Sequence, residues 1–234
     1  MNVPLRPIYL FADSQLLFWK EGDAPFLESV RVQVTQDRPS AAYIGASNGD
    51  VPDFYSIFEG AMNGVGITRC RMIRSAGGSV SPDDLAFLHQ ADIVLLAGGD
   101  VEKGWRSFQQ TGLSDLLVQR YYQGAVLIGT SAGAVQLGLY GCAQRAESYT
   151  EMFETFKLVP FLLDVHGERD DWSRLRQVIG LLDANVKGIG IPSGGGAIYH
   201  PDQTLEPVRH PLYECSVNDG GISSGLLMPG IHEE

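Results

Sequence analysis

Four short apolar runs constrain this chain more than any other feature: Pro7 to Ala12, Ala41 to Ala46, Ala91 to Ala97 and Gly124 to Gly129. Each ends in small or turn-forming residues, and each reads as a strand buried on both faces, the condition of a parallel sheet. Between them lie segments with helical spacing: Phe26, Leu27, Val30 and Val34, then Ile57, Phe58 and Met62, then Leu113, Leu116, Leu117 and Tyr121. Ser81-Pro82-Asp83-Asp84 has the marks of a helix start, with a capping hydroxyl, proline at the first helical position and acids in the first turn. Alternation of strand and helix predicts an α/β fold, a mostly parallel sheet with helices on both faces joined by right-handed crossovers. A length of 234 residues suits one domain spanning 1–234.

The second half reads differently. Gln144 to Glu154 is polar, and Leu158 to Val165 is an apolar run that ends at His166. Trp172, Leu175, Val178, Ile179 and Leu182 recur at helical spacing and should pack one face on the sheet. Val186 to Ile191 and Ala197 to His200 read as two strands joined by a Pro-Ser-Gly-Gly-Gly turn, and the Pro-, Gly- and Asp-rich tail as short antiparallel strands.

Composition narrows the functions. A net charge of −11 argues against nucleic acid, whose phosphates call for clustered Lys and Arg. No stretch approaches the ~18 apolar residues of a membrane span, and no basic segment followed by an apolar run opens the chain, so no membrane partner and a cytoplasmic location are expected. Cys70, Cys142 and Cys215 form neither a C-x-x-C pair nor a metal-ligand spacing, so neither a metal nor a disulfide framework is expected. The 28 glycines gather at Gly98-Gly99, around Ser131 and at Gly194-Gly195-Gly196, marking places where backbone must approach something closely.

One of these places carries chemistry. Gly129-Thr130-Ser131-Ala132-Gly133 follows a buried strand and precedes a helix start, so the serine sits on a sharp turn that lifts its hydroxyl above the sheet edge. Gly98-Gly99-Asp100 follows the strand ending at Ala97, at a carboxyl end where open α/β sheets bind ligands. A Gly99 N–H there and the Ala132 N–H are the candidate oxyanion donors. A serine hydroxyl also needs a base. Of the five histidines His166 is the leading candidate, because a strand end delivers it to the same edge; His89 falls in a helical segment, and His200, His210 and His232 in later strands or tail. Glu147, Glu151, Glu154 and Asp164, all between serine and histidine, are candidates for the acid that orients the imidazole.

The Gly-Gly turn after a strand, Gly-Thr-Ser-Ala-Gly-Ala, and a later Asp-x-His before an arginine-bearing helix together resemble the dipeptidase E and cyanophycinase family of serine peptidases, peptidase family S51. The resemblance extends over most of the chain. It implies a fold like class I glutamine amidotransferases, a flavodoxin-like three-layer architecture, with Ser131 as nucleophile, His166 as base and Gly99 in the oxyanion hole. It places the third catalytic acid roughly fifteen to twenty positions after the serine, which favours Glu147 with Glu151 as alternative. Arg169 and Arg174, which a carboxylate could engage bidentately, and Asp100 are the implied substrate contacts. Where dipeptidase E has Glu-Gly after the strand that follows the histidine helix, this chain has Ser193-Gly194. The implied substrate is a short peptide, with aspartyl or isoaspartyl linkage as one option, and no cofactor is required.

Two other readings share these residues. An α/β-hydrolase esterase also uses G-x-S-x-G, but the upstream His-Gly-Gly motif of the lipase-like group is missing and His166 follows Ser131 by only 35 residues. A glutamine-amidotransferase-like domain that binds a small ligand without hydrolysing it is the third. No interface stripe in the sequence sets an oligomeric state.

Overall fold

The computed structural model describes residues 4–146, 149–182, 185–218 and 221–230. The chain opens with β1 (Ile8–Phe11), a ribbon of β2 (Lys20–Glu21) and β3 (Ala24–Pro25), and one helical turn, α1 (Glu28–Arg31). It then runs β4 (Ser40–Ile44), α2 (Pro52–Gly64), β5 (Arg69–Ile73), α3 (Pro82–Leu88), β6 (Ile93–Leu96), α4 (Val101–Thr111), α5 (Leu113–Tyr122), β7 (Val126–Thr130) and α6 (Ala132–Leu137). The second half contributes the antiparallel pair β8 (Tyr140–Ala146) and β9 (Tyr149–Glu154), then β10 (Phe161–Val165), α7 (Ser173–Ile179), β11 (Lys187–Ile191), β12 (Gly196–Tyr199) and β13 (Leu205–Val208). It closes with the antiparallel pair β14 (Leu212–Asn218) and β15 (Gly221–Leu227).

The larger sheet is ordered β13-β12-β1-β7-β6-β4-β5. Its five strands from β1 to β5 in that order are parallel, while β12 and β13 are antiparallel additions at one side. All four apolar runs lie on the parallel strands, and their unbroken hydrophobicity has a direct cause. Alternate residues face opposite cores: Ile8, Leu10, Val94, Leu96 and Leu127 pack with Phe108, Leu117 and Tyr121 of α4 and α5. Tyr9, Phe11, Ile93, Leu95 and Ile128 pack with Phe58 and Met62 of α2. With both faces covered, neither set can be polar, and each large side chain so buried contributes about 1.5–3 kcal/mol before entropy is charged against it. The expected cap of α3 is present: the Ser81 hydroxyl accepts the Asp84 N–H at 3.1 Å, with Pro82 at the first helical position.

Other expectations need correction. The Phe26–Val34 segment forms only the single turn α1, although Phe26, Leu27, Val30 and Val34 are all buried. The polar stretch after Ser131 holds β8 and β9. β5 has no clear apolar run, because its first three residues, Arg69, Cys70 and Arg71, lie on an edge strand and are only partly covered. Most consequential, the second half builds its own sheet, β10-β11-β14-β15, with β10 and β11 parallel and the rest antiparallel. A separate core lies beneath α7, formed by Leu162, Trp172, Leu175, Val178, Ile179, Tyr213 and Cys215, with Trp172 stacked on Tyr213 at 5.6 Å. The strands either side of Pro192 to Gly195 therefore belong to different sheets, and that short connection joins them. No helix among the described residues is long and apolar enough to cross a membrane.

Candidate active site

β7 lies between β1 and β6, and register sets Gly129 opposite both Leu10 and Leu96. The chain then breaks sharply. Ser131 has φ 51° and ψ −112°, a conformation a non-glycine residue holds only when its surroundings enforce it. Here they do: the Ser131 N–H donates to Phe11 O at 2.8 Å, and its carbonyl accepts from Ala134 and Val135 as α6 begins. The helix can start so close to the sheet because residue 133 is glycine; a Cβ there would lie 2.1 Å from the Leu96 carbonyl oxygen.

The end of β6 supplies the facing wall. Gly98 packs against the Ser131 side chain, and its carbonyl accepts from Asn48 Nδ2 at 3.2 Å, an amide that also reaches the Tyr43 hydroxyl at 2.9 Å. Gly99 has φ 138°, and a Cβ there would sit 2.3 Å from Ser47 O, so only glycine fits. The Gly99 N–H has no hydrogen-bond partner among the described residues. Ala132 is the first residue of α6, so its N–H is one of the donors a helix leaves unpaired. Asp100 caps α4, accepting the Lys103 N–H at 2.8 Å, and lines a separate cavity with Glu102, Lys103 and Arg106.

His166 comes from the small sheet. It follows β10 with φ 62°, and its N–H donates to Ile191 O at 3.2 Å. Gly99, Ser131 and His166 together line two cavities, of about 270 and about 360 Å³. The fold thus brings Gly99, Ser131 and His166 together at the carboxyl ends of the strands. No hydrogen bond joins the Ser131 hydroxyl to the imidazole among the described residues, and such bonds often tighten only around substrate. His89, His200 and His210 line neither cavity; His232 lies outside the described residues.

The imidazole has partners that sequence reasoning missed. His166 Nδ1 lies 3.1 Å from Ser193 Oγ, in the connection between the two sheets, and the Ser193 N–H donates to Glu168 Oε1 at 3.2 Å. Burial opposes ionisation of Glu168, but hydrogen bonds from Ser193 and the adjacent His166 win, holding its carboxyl below the ordinary 4.5. With Nδ1 turned to Ser193, Nε2 is the ring nitrogen left for another partner. The available signal was the Ser193-Gly194 departure itself, together with an acid two residues beyond the histidine.

The remaining candidates are placed elsewhere. Glu147 lies outside the described residues. Glu151 lines a different cavity, with Trp105, Arg106 and Gln109. Glu154 pairs with Lys157 at 2.6 Å. Buried Asp164 engages Arg174 through two guanidinium nitrogens, a bond that raises the arginine's pKa. Arg174 lines the larger cavity in this committed state, while Arg169 is exposed and lines neither. Burial pushes the three thiols up to about 11, so none is a thiolate nucleophile at neutral pH. Among the described residues no three of His, Cys, Asp and Glu converge as a metal site.

A strained serine at a parallel-strand end, a glycine wall and a histidine at a strand end of the second sheet make up a site of hydrolase type. The chain belongs to peptidase family S51, whose family description matches residues 20–206. No curated protein matches the sequence. Among solved structures, the chain is similar to a peptidase from an acI-B1 actinobacterium, with TM-score 0.73 and 13% identity over 97% of this chain and 95% of that one. It is also similar to a protein of Listeria monocytogenes EGD-e assigned as a peptidase E, with TM-score 0.62 and 14% identity over 88% of this chain and 99% of that one. At these identities the two structures support the fold, and the family makes the chain a peptidase.

Proposed function

We propose that this peptidase is of the serine type and hydrolyses short peptides through an acyl-enzyme on Ser131. The observation that carries the reading is the strained Ser131 turn opening on the same two cavities as His166. The Ser131 Oγ attacks the scissile carbonyl carbon as His166 Nε2 takes the hydroxyl proton, and the carbonyl oxygen, now anionic, is held by the Gly99 and Ala132 N–H groups. Collapse breaks the C–N bond, and His166 returns the proton to the departing amine. Water, activated by the same imidazole, then cleaves the ester and frees Ser131.

Ser193, supported by Glu168, orients the ring by accepting from Nδ1–H, the task an acid performs in the usual triad. An aspartyl or isoaspartyl bond would call for a cation beside its carboxylate. Arg174 is paired with Asp164 and Arg169 lines neither cavity, so among the described residues neither cavity is lined by a lysine or arginine free of a carboxylate partner. The test is a dipeptide and tripeptide library followed by mass spectrometry. Wild type should release products and Ser131→Ala should release none; hydrolysis that persists at the wild-type rate in Ser131→Ala would end the reading.

A further inference from the structure

The two cavities at Ser131 differ in chemistry. The larger is bordered by the histidine segment, Asp164 to Gly167 with Asp170 and Arg174. The smaller runs the other way, between Ser131 and the start of α2, and its wall is formed by Leu17, Tyr43, Phe54, Ile57, Phe58 and Leu95. Phe54, Ile57 and Phe58 lie three and four positions apart, so the first turns of α2 present them on one side. Phe58 continues into the core, but Phe54 is 50% and Ile57 38% exposed, apolar surface left uncovered beside a catalytic serine.

The acidic and amide side chains of this cavity are already engaged, while its hydroxyls, Ser14 and the unpartnered Thr130, are neutral. Asp13 accepts from the N–H groups of Gln15 and Gly194 and from the Gln15 side-chain amide. The Asn48 amide donates to Tyr43 and Gly98, and its oxygen accepts from Val51. Among the described residues no lysine or arginine lines the cavity, and Asp13 contributes a carboxyl group. An acidic side chain entering here would lose water, gain no lysine or arginine partner and meet Asp13. An apolar one would cover Phe54 and Ile57. The volume of about 270 Å³ lies just under the roughly 300–1,000 Å³ of drug-sized sites, which suits one side chain better than a long ligand.

Which half of the peptide enters follows from the proton path. The departing amine must receive its proton from His166; the ring borders both cavities, but the rest of its segment, Asp164, Val165 and Gly167, lines only the larger, so the leaving half lies on that side. The acyl half then extends toward α2. We infer that the cavity between α2 and Ser131 takes an uncharged apolar side chain, aliphatic or aromatic, on the residue whose carbonyl is attacked. The inference rests on the catalytic reading of Ser131 and names its substrate class.

The experiment measures kcat/KM for aminoacyl-coumarin amides of Phe, Leu, Asp and Lys, with free and with acetylated amino groups. In parallel, Ser131 phosphonylation by a small fluorophosphonate is followed by peptide mass spectrometry. Phe and Leu should exceed Asp by about tenfold or more, the discrimination that a pocket of this type gives for a few buried methylenes. Phe54→Lys and Ile57→Lys, both at exposed positions, should reverse that ratio toward Asp. A labelled Ser131 with Asp preferred, or with ratios unmoved by either lysine, overturns the apolar pocket and leaves the nucleophile standing. An unlabelled Ser131 overturns both.

Discussion

The two halves of the site are built by different parts of the molecule. Ser131, Gly98 and Gly99 sit on adjacent parallel strands, where backbone hydrogen bonds from β1 and close glycine packing determine every position. His166, Glu168 and Ser193 are exposed or half-exposed, at the ends of strands in a second, smaller sheet. The proposed nucleophile half is therefore built directly on the core strands, and damage to it should cost folding as well as chemistry. The proposed base half hangs on surface hydrogen bonds, and damage to it should cost chemistry alone.

The largest effect expected is at His166. His166→Ala should lower kcat/KM by about 10³-fold or more, as loss of the base does in serine hydrolases, with thermal melting unchanged because the ring is exposed. A large fall in melting temperature would break the contrast between the halves. Gly99→Ala is the matching change on the other side. Its Cβ has nowhere to go beside Ser47 O, so activity should fall about 10²–10³-fold, as for a lost oxyanion donor, and the melting temperature should fall with it.

Ser193→Ala should reduce kcat about ten- to hundredfold with little change in KM, the usual reach of a group that orients a functional imidazole; restoration by Ser193→Thr would mark the hydroxyl as the cause. Glu168→Gln is a finer probe. Because its folded-state pKa is lowered, Glu168 stays charged until pH drops below the ordinary 4.5, and its stabilising contribution is lost only as pH falls through the lowered value. Over the working range the charged carboxylate accepts the Ser193 N–H, so the glutamine variant should lower kcat/KM at neutral pH, and the two enzymes should converge only below the lowered value. Equal kcat/KM at neutral pH would separate Glu168 from the base. The smallest effect on chemistry belongs to Arg174→Ala, which strands buried Asp164. Melting should fall by an amount between the ~0.2–1 kcal/mol of exposed pairs and the ~3–5 kcal/mol of buried ones, with the Asp-to-Phe substrate ratio unchanged.

The same division explains what the sequence revealed. The parallel strands were legible because burial on both faces leaves uninterrupted apolar runs, and Ser131 was legible because the nucleophile turn is written in consecutive residues. The placement of Gly99 beside it followed from strand ends. His166 was found by its position after an apolar run, but its supporting residues were not. Ser193 reaches Nδ1 across 27 positions through the connection between two sheets, a juxtaposition that no local pattern encodes. Arg174 carries a partner that its place after the histidine does not reveal: Asp164, buried ten residues earlier, pairs with it. β5 and the β8–β9 pair escaped because partly covered strands carry polar residues on one side.

The central claim is that Ser131 is the nucleophile and His166 its base. Its most direct test is the rate and site of fluorophosphonate labelling in wild type and His166→Ala, read by mass spectrometry of the peptide that carries residue 131. The account predicts a single adduct on Ser131 in wild type that forms far more slowly once the imidazole is gone. Labelling of Ser131 no faster than of other serines, or at a rate indifferent to His166, would contradict it.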